Sequence, residues 1–588
     1  MGEILNRLKS LRKRMNEEKI DFYIIPTNDY HGSEYVGAYF KAREYITGFT
    51  GSAGTALIMK DAAILWTDGR YFLQAEAELK NSTIELYKMG EKDVPTIVQY
   101  LMENAKGKTI GFDGKSLSLE FYNLLKNTLK DNAKFVFIDL IKDIWQDRPL
   151  MSCTEAFLLS DEYSGEARSA KLSRLEKVLE KHNINAHIIT SLDDIAWLLN
   201  IRADDVKCNP VLLSYLLYNN KEYTLYVNNK ALNKDVKATL NKDGIKIKNY
   251  DDIYEDIKEL NGRVLIDPNK VNAEIFTRLD KCNVVKMMNP TTEMKCIKND
   301  VEIKNSYLAH LKDGVAVTKF IYWLKTNVGK IKMTEISCAK YLENLRKMQD
   351  NYLGLSFETI SGYDYHGAII HYDPTEETDI EVLPKSFLLV DSGGQYLEGT
   401  TDITRTIAVG ELSDEQKIDY TLVLKGHLAL GGAIFKEGTN GGMLDMLARK
   451  PLWEHGLDYK HGTGHGVGHF LNVHEGPQRI ANSAVCNYPF KKGMITSDEP
   501  GIYIPNKFGI RIENLMVCLD KETTEYGKFL KFDFLTVAPY EREAIVKEML
   551  NEEELTLLNN YHKRVFTELA PYLNDDERKW LFDVTREI

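Results

Sequence analysis

Apolar and polar positions alternate along the first part of the chain in a way that separates helices from strands. Residues 3–18 carry apolar side chains at helical spacing, which predicts an opening amphipathic helix. The run DFYIIPT is typical of a buried strand, and TALIMKDAAILWTDGRY holds two apolar runs split by a polar KD pair, which predicts a hairpin. Because helical and strand-like segments keep alternating, residues 1–151 are predicted to form one α/β domain.

The same order of segments starts again from residue 152. A helical stretch from Ala167 to Lys181 precedes the strand-like AHIITS, the helical LDDIAWLLN and two strand-like runs, VLLSYLLY and YTLYV. In addition, ITGFTGSAGTALIMKDAAILWT loosely parallels IAWLLNIRADDVKCNPVLLSYLLY, although few residues are identical. Residues 152–290 are therefore predicted to form a second α/β domain, and the recurrence suggests a structural duplication.

The character of the chain changes near Asn289 and Pro290. There KMMNPTTEMKCIKNDVEIK leads into a long amphipathic helix, residues 291–520 are rich in glycine and histidine, and helical patterning returns beyond residue 535. A chain of 588 residues is too long for a single core. Residues 291–588 are predicted to form a third domain, with a C-terminal extension over about 522–588, which makes the whole chain a mixed α/β (α+β) protein.

Composition and charge exclude some partners. Hydrophobic residues make up 43% and charged residues 28% of the chain, as in an ordinary soluble globular protein. The net charge of −12 and the lack of a long basic run disfavour nucleic acid and anionic membranes. No apolar h-region opens the chain, and no window reaches the roughly 20 apolar residues of a membrane span. Because the seven cysteines are scattered and never in CxxC spacing, we expect reduced thiols and a cytoplasmic protein.

Five potential metal ligands follow one another through the last third of the chain. They are Asp391, Asp402, His465, Glu499 and Glu513, in the glycine- and turn-rich stretches VDSGG, TTDITRT, HGTGHGVGH, SDEPG and GIRIEN. Four carboxylates and one imidazole suit a pair of hard-to-borderline divalent cations. Since ligands at strand ends and tight turns can be aimed at one point, this order predicts a metal centre.

Each ligand taken alone also has a structural explanation. Asp391 could simply stabilise the glycine turn that follows it, and Arg511 could form a salt bridge with Glu513. The histidines of HGTGHGVGHFLNVHEGP could be core residues, although eight of the 13 histidines fall between His366 and His474. A site is favoured because each acidic pair lies on a predicted hairpin, and buried carboxylates are costly unless they are paired or bind metal.

Together, four carboxylates and a histidine predict hydrolysis. Two ions about 3.5–4 Å apart can hold one hydroxide between them and polarise a carbonyl group. The chain has no GxSxG elbow and no Cys-His signature, which argues against a covalent nucleophile, and it has no HExxH sequence, which excludes a zincin. Its glycine-rich stretch is neither GxGxxG nor a phosphate loop.

These motifs, in this order, resemble the aminopeptidase P (Xaa-Pro aminopeptidase) branch of the pita-bread metallopeptidases, in its long, three-domain cytosolic form. The resemblance rests on DSG, TTDITRT, HGTGHGVGH, NVHEGP, DEPGIY and GIRIEN, and on SEYVGAYFKAREYITGFTGSAGTA, LWTDGRYFLQA, LDDIAWLLNIR and CNPVLLSY. It implies two creatinase-like N-terminal α/β domains and a pita-bread catalytic domain with a C-terminal helical extension. It also implies a dinuclear-metal aminopeptidase that uses a metal-bridging hydroxide to hydrolyse the bond between an N-terminal residue and a following proline.

The resemblance assigns a cofactor and partners as well. The five candidate ligands match the family's dimanganese ligands, and Tyr503 and Arg511 match residues that order Glu499 and Asp391. The resemblance implies two divalent ions per subunit, Mn²⁺ before Co²⁺ or Zn²⁺. The ligand set itself does not choose among the three metals, because it tolerates all of them and availability decides. The expected partners are peptides with proline at position 2 and a second copy of the chain, in a homodimer formed through the C-terminal domain.

Substrate-binding residues follow from the same resemblance. His371, in HGAIIHY, matches a histidine near the scissile carbonyl, and His474, in NVHEGP, matches another that contacts the substrate. His461 matches a residue on the proline side of the pocket, and His465 is assigned to substrate binding as well as to metal. Arg70, in TDGRY, matches a substrate-contacting arginine of the first domain, although a salt bridge within that domain explains it equally well.

The implied catalytic residues are His371, His474 and Glu499. Either histidine can donate hydrogen bonds to the developing gem-diolate. Glu499 can accept the proton of the bridging water and pass it to the leaving nitrogen. A prolyl nitrogen carries no N–H, so selectivity must come from ring packing and shape. Two residues depart from the family pattern: His469 lies where relatives often have a small or aromatic residue, and His366 lies where asparagine is usual.

Other readings of the same ligands remain open. A prolidase shares them but usually has one N-terminal domain and is limited to dipeptides. A methionine aminopeptidase would correspond roughly to the third domain alone, and creatinase-like enzymes lack the full ligand set. A catalytically inactive pita-bread protein could serve as a binding scaffold, although it would have no need to keep all five ligands.

Overall fold

The computed structural model describes residues 2–484 and 486–588. They fall into two compact units. The first contains the residues up to Leu159 and Glu166–Thr292, and the second contains Ser160–Gly165 and Glu293–Ile588. Each unit is built around its own clusters of buried apolar side chains.

The first half of the first unit is a mixed sheet with helices. Its elements are α1 Gly2–Glu17, β1 Phe22–Pro26, α2 Ala42–Thr47, β2 Thr55–Met59, β3 Ala63–Thr67, α3 Phe72–Glu78, β4 Glu85–Lys88, α4 Ile97–Asn104, β5 Lys108–Phe112, α5 Leu119–Leu129 and β6 Ala133–Phe137. The sheet has the strand order β4-β3-β2-β1-β5-β6, with β1 antiparallel to β2 and parallel to β5. The apolar face of α1, with Leu8, Leu11 and Met15, is buried in the same core as the sheet residues Ile25 and Ile58.

The second half of this unit contains a second sheet. Its elements are β7 Phe157–Leu158, α7 Arg168–Lys181, β8 Ala186–Ile189, α8 Leu192–Leu198, β9 Ile201–Arg202, β10 Ser214–Asn219, β11 Glu222–Val227, α9 Lys234–Lys242, β12 Ile245–Lys248, α10 Ile253–Asp256, β13 Gly262–Ile266, α11 Ala273–Thr277 and β14 Cys282–Lys286; the helix α6 Asp161–Ser164 belongs to the second unit. The strand order is β12-β11-β10-β8-β13-β14, with β8 antiparallel to β10 and parallel to β13.

The two sheets therefore have the same connectivity and the same mixture of parallel and antiparallel neighbours. The halves meet through two reciprocal backbone hydrogen bonds, Leu119 N to Val271 O at 2.9 Å and Ala273 N to Leu117 O at 2.8 Å. These bonds lie where α5 and α11 begin, at the equivalent ends of β5 and β13. The duplication that the sequence suggested is present in the topology.

The second unit contains the region of the candidate ligands. Its further elements are α12 Pro290–Cys296 (from residue 293), α13 Asp300–Asn327, α14 Glu335–Lys347, β15 Tyr352–Leu355, β16 Ile360–Tyr363, β17 Phe387–Ser392, β18 Gly394–Tyr396, β19 Gly399–Thr400, β20 Ile403–Ala408, α15 Asp414–Gly431, β21 Ile434–Lys436, α16 Gly441–Trp453, β22 Gly464–Gly466, β23 Glu475–Ile480, β24 Ile495–Asp498, β25 Gly501–Ile504, β26 Phe508–Arg511, β27 Asn514–Thr524, β28 Gly527–Phe534, α17 Glu552–Leu569 and α18 Asp575–Thr585.

Four small or medium-sized sheets and several helices make up the described part of this unit. The largest sheet has the order β21-β28-β27-β24-β22-β23, and smaller sheets are β16-β17-β20, β15-β18-β19 and β25-β26. Capping boxes at Asn299, Ser413 and Asn551 set the starts of α13, α15 and α17, because each cap satisfies backbone N–H groups of the first turn. Apolar residues of α15 and α17 share one core cluster with those of β25 and β26.

The structure confirms most of the predicted elements. The opening helix, the strand in DFYIIPT, the β2–β3 hairpin and the long helix after residue 291 are all present. Between residues 541 and 550 the chain forms only short 3₁₀ turns, so the C-terminal helical segment begins at Glu552 rather than near residue 535. Within the described residues, the helices lack the combination of length and apolar character that a bilayer crossing requires.

Candidate metal centre

The first acidic pair lies at the ends of two neighbouring strands. Strands β17 and β20 are antiparallel, with Asp391 opposite Thr404, and Asp402 directly precedes β20. The predicted hairpin is therefore present, but Asp402 lies just outside the strand that was expected to carry it. Between the two, the chain makes a detour through β18 and β19, which pair in a separate small sheet. Both carboxylates are buried.

The second acidic pair lies where a long hairpin changes sheets. Asp498 pairs with Asn514 in the β24–β27 ladder, and Gly501 pairs with Arg511 in the separate β25–β26 ladder. Glu499 and Glu513 occupy the two chain segments between these ladders, so they face each other across the break. Glu513 was expected on the return strand, and the structure places it immediately before β27.

His465 lies in the middle of the short strand β22, between β23 and β24. Glycine on either side is required by crowding: a Cβ atom at Gly464 would lie 2.2 Å from Ser497 O, and one at Gly466 would lie 2.3 Å from Glu475 O. The repeated glycines of HGTGHGVGH thus let this strand pass close to both neighbours and present the imidazole.

Side-chain contacts join the two acidic pairs. Asp402, His465 and Glu513 each offer one ligand atom, and these atoms lie within 4.8 Å of one another. The His465 Nε2 atom also lies 3.6 Å from Glu499 Oε1. Asp391 is linked to Glu513 by hydrogen bonds that run through Arg511 and Thr404. The five residues singled out by sequence therefore meet at one place.

The electrostatics of this cluster are dominated by carboxylates that crowd one another. Burial raises the pKa of Asp391 to about 6, although Arg511 opposes the shift. Burial likewise raises the pKa of Glu499 to about 7 and that of Glu513 well above its usual range, and neighbouring carboxylates add to both shifts. Burial disfavours a charged His465, but the carboxylates outweigh it and raise its pKa to about 9. The protein gathers more negative charge here than its own cations neutralise.

Two observations show that these residues fit divalent cations. The Oδ1 atoms of Asp391 and Asp402 are buried and accept no hydrogen bond from any residue that the structure describes. His465 Nδ1 donates to its neighbour's carbonyl, Gly466 O, at 3.0 Å, which directs Nε2 at Asp402 Oδ2, 3.4 Å away. With a raised pKa, Nε2 shares a proton with that carboxylate oxygen, and a divalent cation can take the place of the proton.

Arg511 and Tyr503 support the centre from one side. Arg511 donates from Nη2 to Asp391 Oδ2 at 2.6 Å and from Nη1 to the Tyr503 hydroxyl at 2.7 Å. The Tyr503 hydroxyl in turn lies 2.8 Å from His461 Nε2. Arg511 is thus hydrogen-bonded to Asp391, the residue that it was predicted to order, whereas Tyr503 connects Arg511 to His461. Ser497 Oγ donates to Glu499 Oε1 at 3.4 Å.

The predicted substrate histidines lie around this group. The His474 ring contacts the His465 ring edge-on, with centroids 4.3 Å apart. His461 Nδ1 lies 3.9 Å from Glu499 Oε2. His371 follows Ile370, whose carbonyl accepts a hydrogen bond from Arg511 Nη2 at 3.3 Å. All three stay predictions as substrate-binding residues.

Arg70 belongs to the first unit. Its Nε and Nη2 atoms donate to the Asp68 carboxylate at 2.9 Å each, and Nη1 lies 3.9 Å from Glu34 Oε1. The salt bridge that the sequence left open is present, and a contact with substrate stays a prediction.

The two departures from the family pattern have structural roles. His469 Nε2 donates to Tyr163 O at 2.9 Å, so it holds the segment Ser160–Gly165 in the second unit. His366 Nδ1 donates to Glu335 Oε1 at 2.9 Å. Neither contact involves a candidate ligand.

Sequence reasoning missed some of the residues that hold the centre together. Thr404 donates to Glu513 Oε2 at 2.8 Å and accepts from Arg511 Nε at 3.2 Å, and its only sequence signal was its place in TTDITRT. Lys298 and Lys295 both pair with the buried carboxylate of Glu475, the neighbour of His474. Lysines so far away in the chain gave no signal at all.

The chain matches families and solved structures along its whole length. Residues 7–148 and 147–302 each match a creatinase/prolidase N-terminal domain, residues 308–520 match metallopeptidase family M24, and residues 528–588 match the C-terminal region of peptidase M24. Xaa-Pro aminopeptidase 1 of Dictyostelium discoideum is 38% identical over 99% of this chain and 96% of its own length. Aminopeptidase P1 of Arabidopsis thaliana is 36% identical over 100% of this chain and 99% of its own.

A solved structure matches over the same extent. It is the X-prolyl aminopeptidase of Caenorhabditis elegans, described as a cytosolic enzyme with a di-nuclear active site. It superposes with a TM-score of 0.95 at 34% sequence identity, and the match covers 100% of both chains.

Proposed function

This chain belongs to the Xaa-Pro aminopeptidases of metallopeptidase family M24, and from that membership we propose that it removes the N-terminal residue of peptides whose second residue is proline. It is a metallo-exopeptidase with two creatinase-like domains and a pita-bread domain. The observation that carries the proposal is the convergence of Asp402, His465 and Glu513 within 4.8 Å, with Glu499 and Asp391 beside them. An inactive scaffold would not need such a costly arrangement of buried charge.

Two divalent ions are the proposed cofactor, with Mn²⁺ favoured by the family resemblance and Co²⁺ or Zn²⁺ as alternatives that the same ligands tolerate. Asp391, Asp402, His465, Glu499 and Glu513 would hold them. When bound, such ions activate a water molecule and polarise the substrate carbonyl. Arg511 would keep Asp391 in its ligand orientation, because it fixes one oxygen of that carboxylate and leaves Oδ1 for a cation.

The side chains around the ligands would supply the remaining chemistry. His371 and His474 would donate hydrogen bonds to the oxygen of the carbonyl under attack, where negative charge develops. Glu499 would accept the proton that the attacking water loses and deliver it to the prolyl nitrogen as that nitrogen leaves. The ring contact of His474 with His465 places a donor beside the candidate ligands.

Selectivity for proline would come from an aromatic surface. The His461 ring lies 4.8 Å from the Tyr459 ring and 5.4 Å from the Tyr503 ring, between centroids. A pyrrolidine ring can pack against such a surface, whereas the prolyl nitrogen offers no N–H group to recognise. Arg70 of the first unit is proposed as an additional substrate contact, on the strength of the family resemblance alone.

We also propose a cytoplasmic homodimer with three domains, at residues 1–151, 152–290 and 291–588. The cytosolic description of the nematode relative supports the location. A dimer formed through the third domain is supported by α16, where Met443, Met446 and Trp453 are 68%, 56% and 42% exposed. Exposed apolar side chains on one helix suit association with another protein surface. Trp453→Glu should convert a dimer to a monomer in sedimentation velocity, and a wild-type monomer would refute this assembly.

A metal-reconstituted peptidase assay tests the activity. Purified protein loaded with Mn²⁺ should release arginine from an Arg-Pro-Pro peptide, should leave the matched Xaa-Ala peptides intact, and should lose activity with a chelator. Peptides of two to nine residues distinguish an aminopeptidase, which cleaves the longer ones, from a prolidase. Cleavage of dipeptides alone would identify a prolidase, and no turnover with metal demonstrably bound would identify a scaffold.

A further inference from the structure

Glu335, the first residue of α14, has a fully buried side chain that is surrounded by donors. Its carboxylate accepts hydrogen bonds from Tyr363 N at 2.7 Å, His366 Nδ1 at 2.9 Å, the Tyr372 hydroxyl at 2.9 Å and Ile380 N at 3.3 Å. Such a set of bonds offsets the cost of burying a carboxylate.

The four donors lie on both sides of His371 in the chain. Two precede it and two follow it, all within residues 363–380, a segment that we call the His371 loop. The Tyr372 hydroxyl belongs to the residue directly after His371, while Ile370, directly before it, is bonded through its carbonyl to Arg511. His371 is therefore fixed on one side by the group that orders Asp391 and on the other by Glu335.

Close backbone packing fixes the loop at Gly367, whereas the part of the loop after His371 is largely exposed. A Cβ atom at Gly509 would lie 1.7 Å from Gly367 O, so the loop passes β26 with no room for a side chain at that glycine. Outside this contact, residues 373–379 are mostly exposed and contribute little packing. The four bonds to the Glu335 carboxylate connect both ends of the segment to one side chain, beside the bond from Ile336 N to Asp379 Oδ1 at 3.0 Å.

We propose that Glu335 is a positioning residue for the reaction: it holds the His371 loop so that the His371 imidazole faces the scissile carbonyl. This inference rests on the proposed function, because His371 takes its role from it. Removing the carboxylate takes this acceptor from Tyr363 N, Ile380 N and His366 Nδ1, and leaves the Tyr372 hydroxyl with Thr378 O alone, at 3.2 Å. The loop then samples other arrangements, and misplacement of a catalytic group by about 1 Å can cost about a hundredfold in rate.

A second buried carboxylate on the same pair of helices provides the control. Asp313 of α13 accepts from Arg346 Nε of α14 at 2.7 Å and from the Tyr396 hydroxyl at 3.0 Å. Like Glu335 it is buried, but its hydrogen bonds go to Arg346 and Tyr396 rather than to the His371 loop. Asp313→Asn should lower stability and leave kcat for an Xaa-Pro peptide unchanged.

The activity experiment compares Glu335→Ala, Asp313→Asn and His371→Ala, each with its metal content measured. Glu335→Ala should lower kcat by about a hundredfold while KM and two bound ions are retained. The same change in a His371→Ala background should cause no further loss, because the two residues act as one unit. An equal loss in both backgrounds, loss of metal, or unchanged kcat would overturn the proposal. Glu335→Gln keeps one acceptor oxygen and should give an intermediate loss, which keeps the test available if the alanine variant fails to fold.

Hydrogen exchange of the loop tests the anchor without any substrate. Peptides covering residues 363–380 should exchange faster in Glu335→Ala or Glu335→Gln than in the wild type, and should be unaffected in Asp313→Asn. Unchanged exchange would overturn the proposal even if the enzyme is active. Faster exchange in a protein that cleaves no Xaa-Pro peptide would contradict the proposed function and leave the anchor itself established.

Discussion

Two clusters of buried charge in the second unit are built in opposite ways. In one, the carboxylate of Glu475 faces the ammonium groups of Lys298 and Lys295, and all three side chains are at most 2% exposed. In the other, four carboxylates gather around His465 and Arg511. The two clusters are neighbours, since Glu475 follows His474, whose ring touches His465.

The difference shows how a metal centre can be told from a structural ion pair. Around Glu475, the protein supplies the counterions of the carboxylate itself, Lys298 and Lys295. At the candidate centre, negative charge is in excess and Asp391 Oδ1 and Asp402 Oδ1 lack a donor among the described residues. Burial alone therefore carries no information about function, whereas an uncompensated excess of ligand oxygens does.

The largest loss of activity is expected from Asp402→Asn, which removes one carboxylate of the candidate metal centre. Peptidase activity should fall to the level of chelated wild-type enzyme, because an amide cannot replace a charged ligand shared by the cluster. In chelator, the same variant should unfold at a higher temperature than the wild type, since it relieves repulsion among buried carboxylates. Both are measured on one preparation by peptide turnover and calorimetry. Full activity would show that no two-ion centre operates here.

Glu475→Gln should change the stability of the metal-free protein in the opposite direction to Asp402→Asn. Removing the carboxylate that both buried lysines contact should destabilise the protein by about 3–5 kcal/mol, as is usual when one partner of a buried pair is lost. The measurement is the urea midpoint in chelator, which keeps bound ions from masking the change. Lys298→Met is the matched control and should cost less, because Lys295 still pairs with Glu475. A Glu475→Gln variant that is more stable than wild type would erase the distinction between the two clusters.

His187 tests a third way of burying a titratable group, namely keeping it neutral. Burial lowers the pKa of His187 from its usual 6.5 to about 4. The unfolded chain therefore binds a proton first as pH falls, so this residue lowers stability progressively from about pH 6.5 down to about pH 4. The loss amounts to about 3 kcal/mol at most.

His187→Asn isolates that loss. An asparagine amide can replace the donor that His187 Nδ1 directs to Leu265 O at 3.1 Å, and it does not titrate. The difference in unfolding midpoint between variant and wild type should shift in favour of the variant as pH is lowered through this range. A constant difference would show that the histidine is charged, or exposed to solvent, in the folded protein.

Local pattern predicted the parts of this molecule that depend on neighbours in sequence. Periodicity located α1, β1 and the β2–β3 hairpin, and five turn-rich motifs located the candidate ligands. Periodicity identifies which face of an element is buried but not which distant segment covers it. The pairing of Lys298 with Glu475, 177 residues away, and the detour through β18 and β19 were therefore invisible. Glu335 was missed for the same reason, since its donors lie in a different motif.

The smallest effect is expected from Thr404→Val, which tests how far the centre depends on residues that touch its ligands. The Thr404 hydroxyl accepts from Arg511 Nε and donates to Glu513 Oε2. It therefore connects Glu513 of the second acidic pair to the arginine that holds Asp391 of the first pair. Loss of such a supporting hydrogen bond usually costs about 10–100-fold in metal affinity or activity. Metal titration should therefore show weaker binding of one ion, with a smaller loss of turnover at saturating metal.

Thr406→Val is the matched control for that measurement. Thr406 is equally buried on the same strand, but its hydroxyl bonds the backbone of Arg511, at 2.9 Å to O and 3.0 Å to N. It should lower stability and leave metal affinity close to that of the wild type. If both variants weaken metal binding equally, general packing of β20 rather than the relay through Thr404 sets the affinity. If neither does, the ligands of the second unit are held by their backbone alone, and the excess of carboxylates is sufficient to bind the ions.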